Sequence, residues 1–83
     1  MAIFYILYSK RLDRYYVGHT TEPIEERLRK HLSSKGKWTS RAQDWVIRYT
    51  EEHADRSAAY RREREVKGWK SRIRMERLIG AAR

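Results

Sequence analysis

Apolar and polar residues recur along this chain with two different periods, and the change of period divides it into elements. Ile3 to Tyr8 is a run of aliphatic and aromatic residues, which predicts a strand. Ser9 to Arg14 is polar and without period, and Tyr15 to Gly18 predicts a second short strand. The two read as an antiparallel hairpin whose connection is longer than a tight two-residue turn. From about Thr21 or Glu22 the period lengthens, because Ile24, Leu28 and Leu32 recur at helical spacing and form a buried stripe. Pro23 suits the first turn of that helix, where its missing N–H is not needed, and Glu25 and Glu26 complement the positive helix end. Arg27 and His31 lie beside the stripe, one turn apart.

Ser33 to Asp44 is rich in Ser, Lys and Gly and reads as a loop. Trp45 to Thr50 alternates, which predicts a third strand with Trp45, Ile47 and Tyr49 on one face. Asp55 or Ser57 can cap a helix that runs to about Trp69. Ser71 to Ala82 predicts a last helix with Met75, Leu78, Ile79 and Ala82 at helical spacing. The order is β-β-α-β-α-α. The fold class expected is α+β, a small three-stranded antiparallel sheet packed by helices, because the first two strands are joined too tightly for a parallel crossover. With 83 residues, one domain spanning 1–83 is expected.

One acid breaks the pattern. The apolar stripe of the Asp55–Trp69 segment runs through Ala59, Val66 and Trp69, and Glu63 falls on that same side, whereas Glu65 points away. A carboxylate at the edge of a core is costly unless it is paired or binds a metal. An ion pair to a nearby arginine is the simpler alternative. A single carboxylate suits Mg²⁺ only if water and substrate phosphate oxygens complete the shell.

Charge narrows the choice of partner. Twenty Lys and Arg against eleven Asp and Glu give a formal net charge of +9, which favours a polyanion such as nucleic acid or, second, an anionic membrane surface. The absence of cysteine excludes disulfides and Cys-based zinc sites. No apolar run approaches the roughly 20 residues that span a bilayer, and the N-terminus lacks a signal-peptide pattern, so a cytoplasmic location without membrane contact is expected. Lys35, Lys37 and Arg41, with Trp38 among them, and Arg62, Lys67 and Lys70 are the expected DNA contacts. Trp38 could stack on a base or cover a core edge.

These segments together resemble the GIY-YIG nuclease domain, especially its small stand-alone bacterial members. Ile3-Phe4-Tyr5 stands at the first motif triplet and Tyr16-Val17-Gly18 at the second. The stretch through His19-Thr20-Thr21 to Glu26-Arg27-Leu28-Arg29-Lys30-His31 looks like the family's strand, turn and arginine-bearing helix, and Arg62-Glu63-Arg64-Glu65-Val66-Lys67-Gly68-Trp69 looks like its glutamate-bearing helix. The resemblance implies a metal-dependent DNA endonuclease, selective for structure rather than sequence, with a role in DNA repair or recombination. It implies Tyr5, Tyr16, Arg27, His31 and Glu63 as the catalytic set. Arg27 would hold the scissile phosphate, Glu63 would ligate Mg²⁺ or Mn²⁺, and one tyrosine would position or deprotonate the attacking water. Tyr16, beside the turn into the Arg27 helix, is the better base, and Tyr5 the better orienting group. No small-molecule cofactor is implied. His19 stands where repair-type relatives carry lysine, and the Tyr16–Arg27 stretch is one residue longer, with Pro23 at the insertion. The alternative is a nucleic-acid-binding module that keeps the fold with little catalysis.

Overall fold

The computed structural model describes residues 1–33 and 42–81. Its elements are β1 (Ala2–Ser9), β2 (Arg14–Thr20), α1 (Ile24–Ser33), β3 (Val46–His53), α2 (Arg56–Trp69) and α3 (Arg72–Ala81). The order is the one the periods predict. The sheet is antiparallel in the order β2-β1-β3, so the most hydrophobic strand is central.

Because β1 is central, both its faces are covered. Phe4 and Ile6 point to one face, where they meet Val17, Val66 and Ile79, with Tyr49, Trp69, Met75 and Leu78 around them. Tyr5 and Leu7 point to the other, against Ala42, Trp45 and the α1 stripe of Ile24, Leu28 and Leu32. The chain is therefore layered helix, sheet, helix pair. A strand buried on both faces reads as a continuous apolar run, which explains the Ile3–Tyr8 pattern.

Three differences from the sequence reading stand out. β2 extends from Arg14 to Thr20 because every residue from Ile3 to Ser9 finds a partner on it. α1 begins at Ile24, after Thr20 Oγ1 accepts a bond from the Glu22 N–H and the Pro23 carbonyl accepts one from the Arg27 N–H. The third difference alters a face. The register of β3 shifts between Ile6 and Leu7, which pair with Tyr49 and Ile47, so Arg48 is an extra residue. That bulge turns Tyr49 to the α2 side while Trp45 and Ile47 stay on the α1 side. The expected single face of Trp45, Ile47 and Tyr49 is therefore split.

α2 is capped by Asp55, whose side chain accepts from the Ala58 N–H at 2.8 Å, and not by Ser57. At its other end Lys70 adopts a left-handed conformation (φ 47°) and lets the chain turn into α3.

The β1–β2 hairpin is fastened at Asp13, itself left-handed at φ 51°. Tyr8 Oη donates to Asp13 Oδ1 at 2.6 Å and Arg72 Nη2 reaches the same oxygen at 2.6 Å. These bonds hold the Asp13 carboxyl at about 2, below its usual 3.8, chiefly through Arg72. A depressed pKa contributes stability that is present above pH 3.8 and is lost as pH falls toward 2. Asp13→Asn should therefore lower stability most above pH 3.8 and flatten the acid limb, the two proteins converging as pH falls toward 2. Thermal melts across pH 2 to 6 would measure this, and an unchanged acid limb would contradict it.

Candidate active site

The tyrosine on the central strand is the hub of the site. Tyr5 is 1% exposed, and a buried phenol needs a partner for its hydroxyl. α1 supplies two. His31 Nε2 lies 2.8 Å from Tyr5 Oη, and Arg27 Nε donates to the same oxygen at 3.4 Å. Both partners project from α1 one turn apart, on the side that faces the sheet. His31, in the last turn of α1, is itself 4% exposed, so it is not a solvated histidine.

Tyr16 completes the cluster from β2. Its register partner is Leu7, so it shares the α1 face with Tyr5. Its ring lies 4.8 Å from the His31 ring, edge to face, and 6.4 Å from the Tyr5 ring. Tyr16 is half-buried where Tyr5 is sealed, so it has the more accessible phenol. Gly18 makes room for both rings. It pairs with Tyr5, and a Cβ placed there would stand 2.6 Å from Tyr5 Oη and 3.2 Å from Tyr16 Cε1. The glycine is required by space, not by backbone conformation.

Electrostatics set the charge states of Tyr5 and Arg27. Burial pushes the Tyr5 phenol above its ordinary pKa of 10.0, against the opposing pull of Arg27, and the Glu63 charge adds to the upward shift. Tyr5 therefore stays neutral at physiological pH. The hydrogen bond to Tyr5 raises the pKa of Arg27, which stays cationic.

Glu63 approaches from the opposite layer. It lies on α2, on the same face of the sheet as His19, whose register partner is Phe4. Its carboxylate is 13% exposed and doubly engaged: His19 Nδ1 sits 2.8 Å from Oε1, and Lys67 Nζ donates to Oε2 at 3.0 Å. The arginine pairing that sequence offered as the simpler alternative is absent among the described residues. β2 is an edge strand, so its residues on opposite faces converge around that edge. A polar cavity of about 290 Å³ opens there, lined by His19, Thr20, Thr21, Arg27 and Arg56.

Four of the five expected catalytic residues, Tyr5, Tyr16, Arg27 and His31, are thus in one cluster, and the fifth, Glu63, stands on the opposite face of the sheet, paired with His19. Arg62 is engaged elsewhere, in a fork of bonds to Glu51 at 3.1–3.2 Å, an ion pair with Glu65, and contact over the Phe4 and Trp69 rings. Lys67 and Lys70 are exposed on the Glu63 side of the molecule. Lys35, Lys37, Trp38 and Arg41 lie outside the described residues. Sequence reasoning left out His19 and Arg56. His19 was legible in principle, since alternation along β2 turns it away from Tyr16 and Gly18. Arg56 had no local signal.

Residues 1–77 match the family model of the GIY-YIG catalytic domain. The chain belongs to the GIY-YIG family. A solved relative agrees: the solution NMR structure of the UPF0213 protein BH0048 from Bacillus halodurans superposes with a TM-score of 0.60 at 34% identity, over 98% of this chain and 85% of that one. No curated protein matches significantly. The family is one of nucleases, so the domain is nuclease-type and its substrate is nucleic acid. Among the described residues no helix is long and apolar enough to cross a membrane.

The Gly18 contact yields a direct test. Gly18→Ala should push the Tyr5 phenol off its partners and destabilise the fold by about 1–3 kcal/mol, the usual range for overpacking. Urea unfolding measures this, and a variant as stable as wild type would contradict the described packing.

Proposed function

We propose that this domain is a divalent-metal-dependent DNA endonuclease that hydrolyses one phosphodiester bond per encounter and selects its substrate by structure, in DNA repair or recombination. The observation that carries the reading is the convergence around the β2 edge. Arg27, held in the cluster with Tyr5, Tyr16 and His31, and His19, the partner of Glu63, line one polar cavity together with Arg56.

Whether the residues suit a metal can be judged from Glu63. Its two oxygens already face a cation and an imidazole, so the position tolerates positive charge at close range. Among the described residues no group of three or more metal-ligating side chains gathers. A closed protein cage is therefore not what Glu63 belongs to. An ion such as Mg²⁺ or Mn²⁺, which keeps several waters and takes further oxygens from substrate phosphate, fits a carboxylate of this kind. When bound it would supply charge relief on the phosphate and the leaving oxygen.

The chain's own groups carry the remaining requirements. Arg27 and Arg56 line the cavity and can seat the scissile phosphate, the planar fork of a guanidinium matching phosphate oxygens. Arg27 is held by Tyr5 Oη, so its direction is set before substrate arrives. Tyr16, the more accessible phenol, is the group placed to take a proton from the attacking water. Tyr5, neutral and sealed, holds Arg27 and His31 in place. His31 packs against the Tyr16 ring and limits its orientation. Lys67 and Lys70 add backbone phosphate contacts that carry no sequence information. A net charge of +9 then makes binding strong at low salt and largely indifferent to sequence.

Glu63→Gln preserves volume and removes the charge. It should abolish Mg²⁺- or Mn²⁺-dependent nicking of duplex, flapped and branched DNA while the protein still folds and binds DNA. Cleavage at the wild-type rate by the folded variant would overturn the metal role. No cleavage by wild type on any of these substrates would favour a binding module that keeps the nuclease fold.

The tyrosines separate by their pH–rate profiles. Tyr16→Phe should cost more activity than Tyr5→Phe and should remove the rising limb, because the Tyr5 phenol is held neutral by burial. A rising limb that survives in Tyr16→Phe and disappears in Tyr5→Phe would reverse the two roles.

A further inference from the structure

We propose that His19 is a direct ligand of the divalent ion, through Nδ1, beside Glu63. The ion's protein anchor is then an imidazole–carboxylate pair that takes Mn²⁺-type transition metals in preference to Mg²⁺. The inference rests on the proposed metal role of Glu63 and assigns a second donor to that site.

The first support is spacing. His19 Nδ1 and Glu63 Oε1 are 2.8 Å apart. Two donors on adjacent corners of an octahedral ion, with bonds of 2.0–2.1 Å, are separated by about 2.9–3.0 Å. The pair already stands near that separation, so the two side chains need only reorient toward one shared ion, with no shift of either backbone.

The second is that both partners are held in place. His19 lies on β2, fixed by pairing with Phe4, and Glu63 lies on α2, capped by Asp55. The His19 ring packs 5.4 Å from the Tyr60 ring, one α2 turn before Glu63. The two side chains are 17% and 13% exposed, sheltered but open to solvent. Lys67, at 3.0 Å from Glu63 Oε2, is 53% exposed and can swing out when another cation arrives.

A third support comes from contrast. His53 and Glu51 make a similar contact, 3.0 Å between Nε2 and Oε1. There, however, Arg62 binds both oxygens of Glu51 and Tyr49 Oη donates to one of them. That carboxylate is consumed by the fold. Among the described residues Glu63 has no such arginine, and its histidine borders the cavity that Arg27 and Arg56 line. An ion on His19 and Glu63 would sit at the wall of the phosphate seat, with its remaining positions left for water and phosphate oxygens.

Imidazole nitrogen suits first-row transition ions, of which Mn²⁺ is the hardest and weakest-binding and takes oxygen ligands as well, whereas Mg²⁺ favours oxygen; that contrast is the physical basis of the preference. The test is Mn²⁺ binding to the purified protein, read by electron paramagnetic resonance of the free ion, with Mg²⁺ as competitor. Wild type should bind one Mn²⁺. His19→Ala should weaken Mn²⁺ binding about tenfold or more, within the range seen when groups around a metal are removed, and weaken Mg²⁺ less. His19→Gln can offer Glu63 an N–H or the ion an amide oxygen but no ring nitrogen, so it should lose the preference for Mn²⁺ over Mg²⁺ as His19→Ala does. In wild-type protein, Mn²⁺ should broaden the His19 ring resonances at lower concentrations than those of His53, a readout that needs no variant. Unchanged Mn²⁺ affinity in His19→Ala would overturn the proposal, as would a His19→Gln protein that keeps the wild-type preference for Mn²⁺ over Mg²⁺, which would mark His19 as a positioning residue only. Failure of wild type to bind Mn²⁺ at millimolar concentration would overturn it as well. Cleavage is assayed separately: an intact Mn²⁺ site in a protein that cuts no DNA would count against the nuclease reading and leave the His19 assignment standing.

Discussion

A phenol sealed in the middle of a central strand has to be hydrogen-bonded, and most of the site's geometry can be traced to how Tyr5 meets that demand. Its hydroxyl lies where a Cβ on the neighbouring strand would stand, so the opposite residue must be Gly18. Its partners must come from above the sheet, which calls for a helix presenting polar groups one turn apart toward it. α1 does so with Arg27 and His31, while Ile24, Leu28 and Leu32 anchor the same helix in the apolar layer. The bonds that make burial of Tyr5 tolerable are also the bonds that aim the guanidinium. Stability and pre-organisation are served by one hydroxyl.

The two faces of the sheet have different duties. The α1 face holds the tyrosine cluster, and the α2 face holds Glu63 and His19. They meet because β2 is at the sheet edge, where no further strand separates them. An unpaired edge is usually a liability. Here it brings residues of opposite strand parity around one cavity.

Charge is divided in a similar way. The acids nearest the core of the α2 face are paired: Glu51 with Arg62 and His53, Glu63 with His19 and Lys67. Arg62 also covers the Phe4 and Trp69 rings, so its loss would expose apolar surface as well as unpair Glu51. Among these pairs, the Glu63 carboxylate is the one whose partners are an imidazole and an exposed lysine rather than an arginine, the arrangement that an incoming cation can most readily displace.

The element order, the α1 stripe and the odd position of Glu63 were legible in the sequence because each is a local, periodic signal. Hydrophobic period sets which side of a helix or strand is buried, and neighbours within a few residues carry it. The GIY-YIG resemblance added the grouping of Tyr5, Tyr16, Arg27 and His31, which the fold brings together. The bulge at Arg48 was not legible, because it exists only in the pairing of β3 with β1, and it moved Tyr49 to the other face. The engagement of Arg62 with Glu51 joins residues on a strand and a helix, and the contact between His19 and Glu63 spans 44 positions. The gathering of Arg27 and Arg56 at one cavity is of the same kind. Periodicity tells each side chain which way to face. Only packing decides what it meets there, because that depends on register, layer order and the free edge of β2, none of which is written within a few residues of the groups concerned.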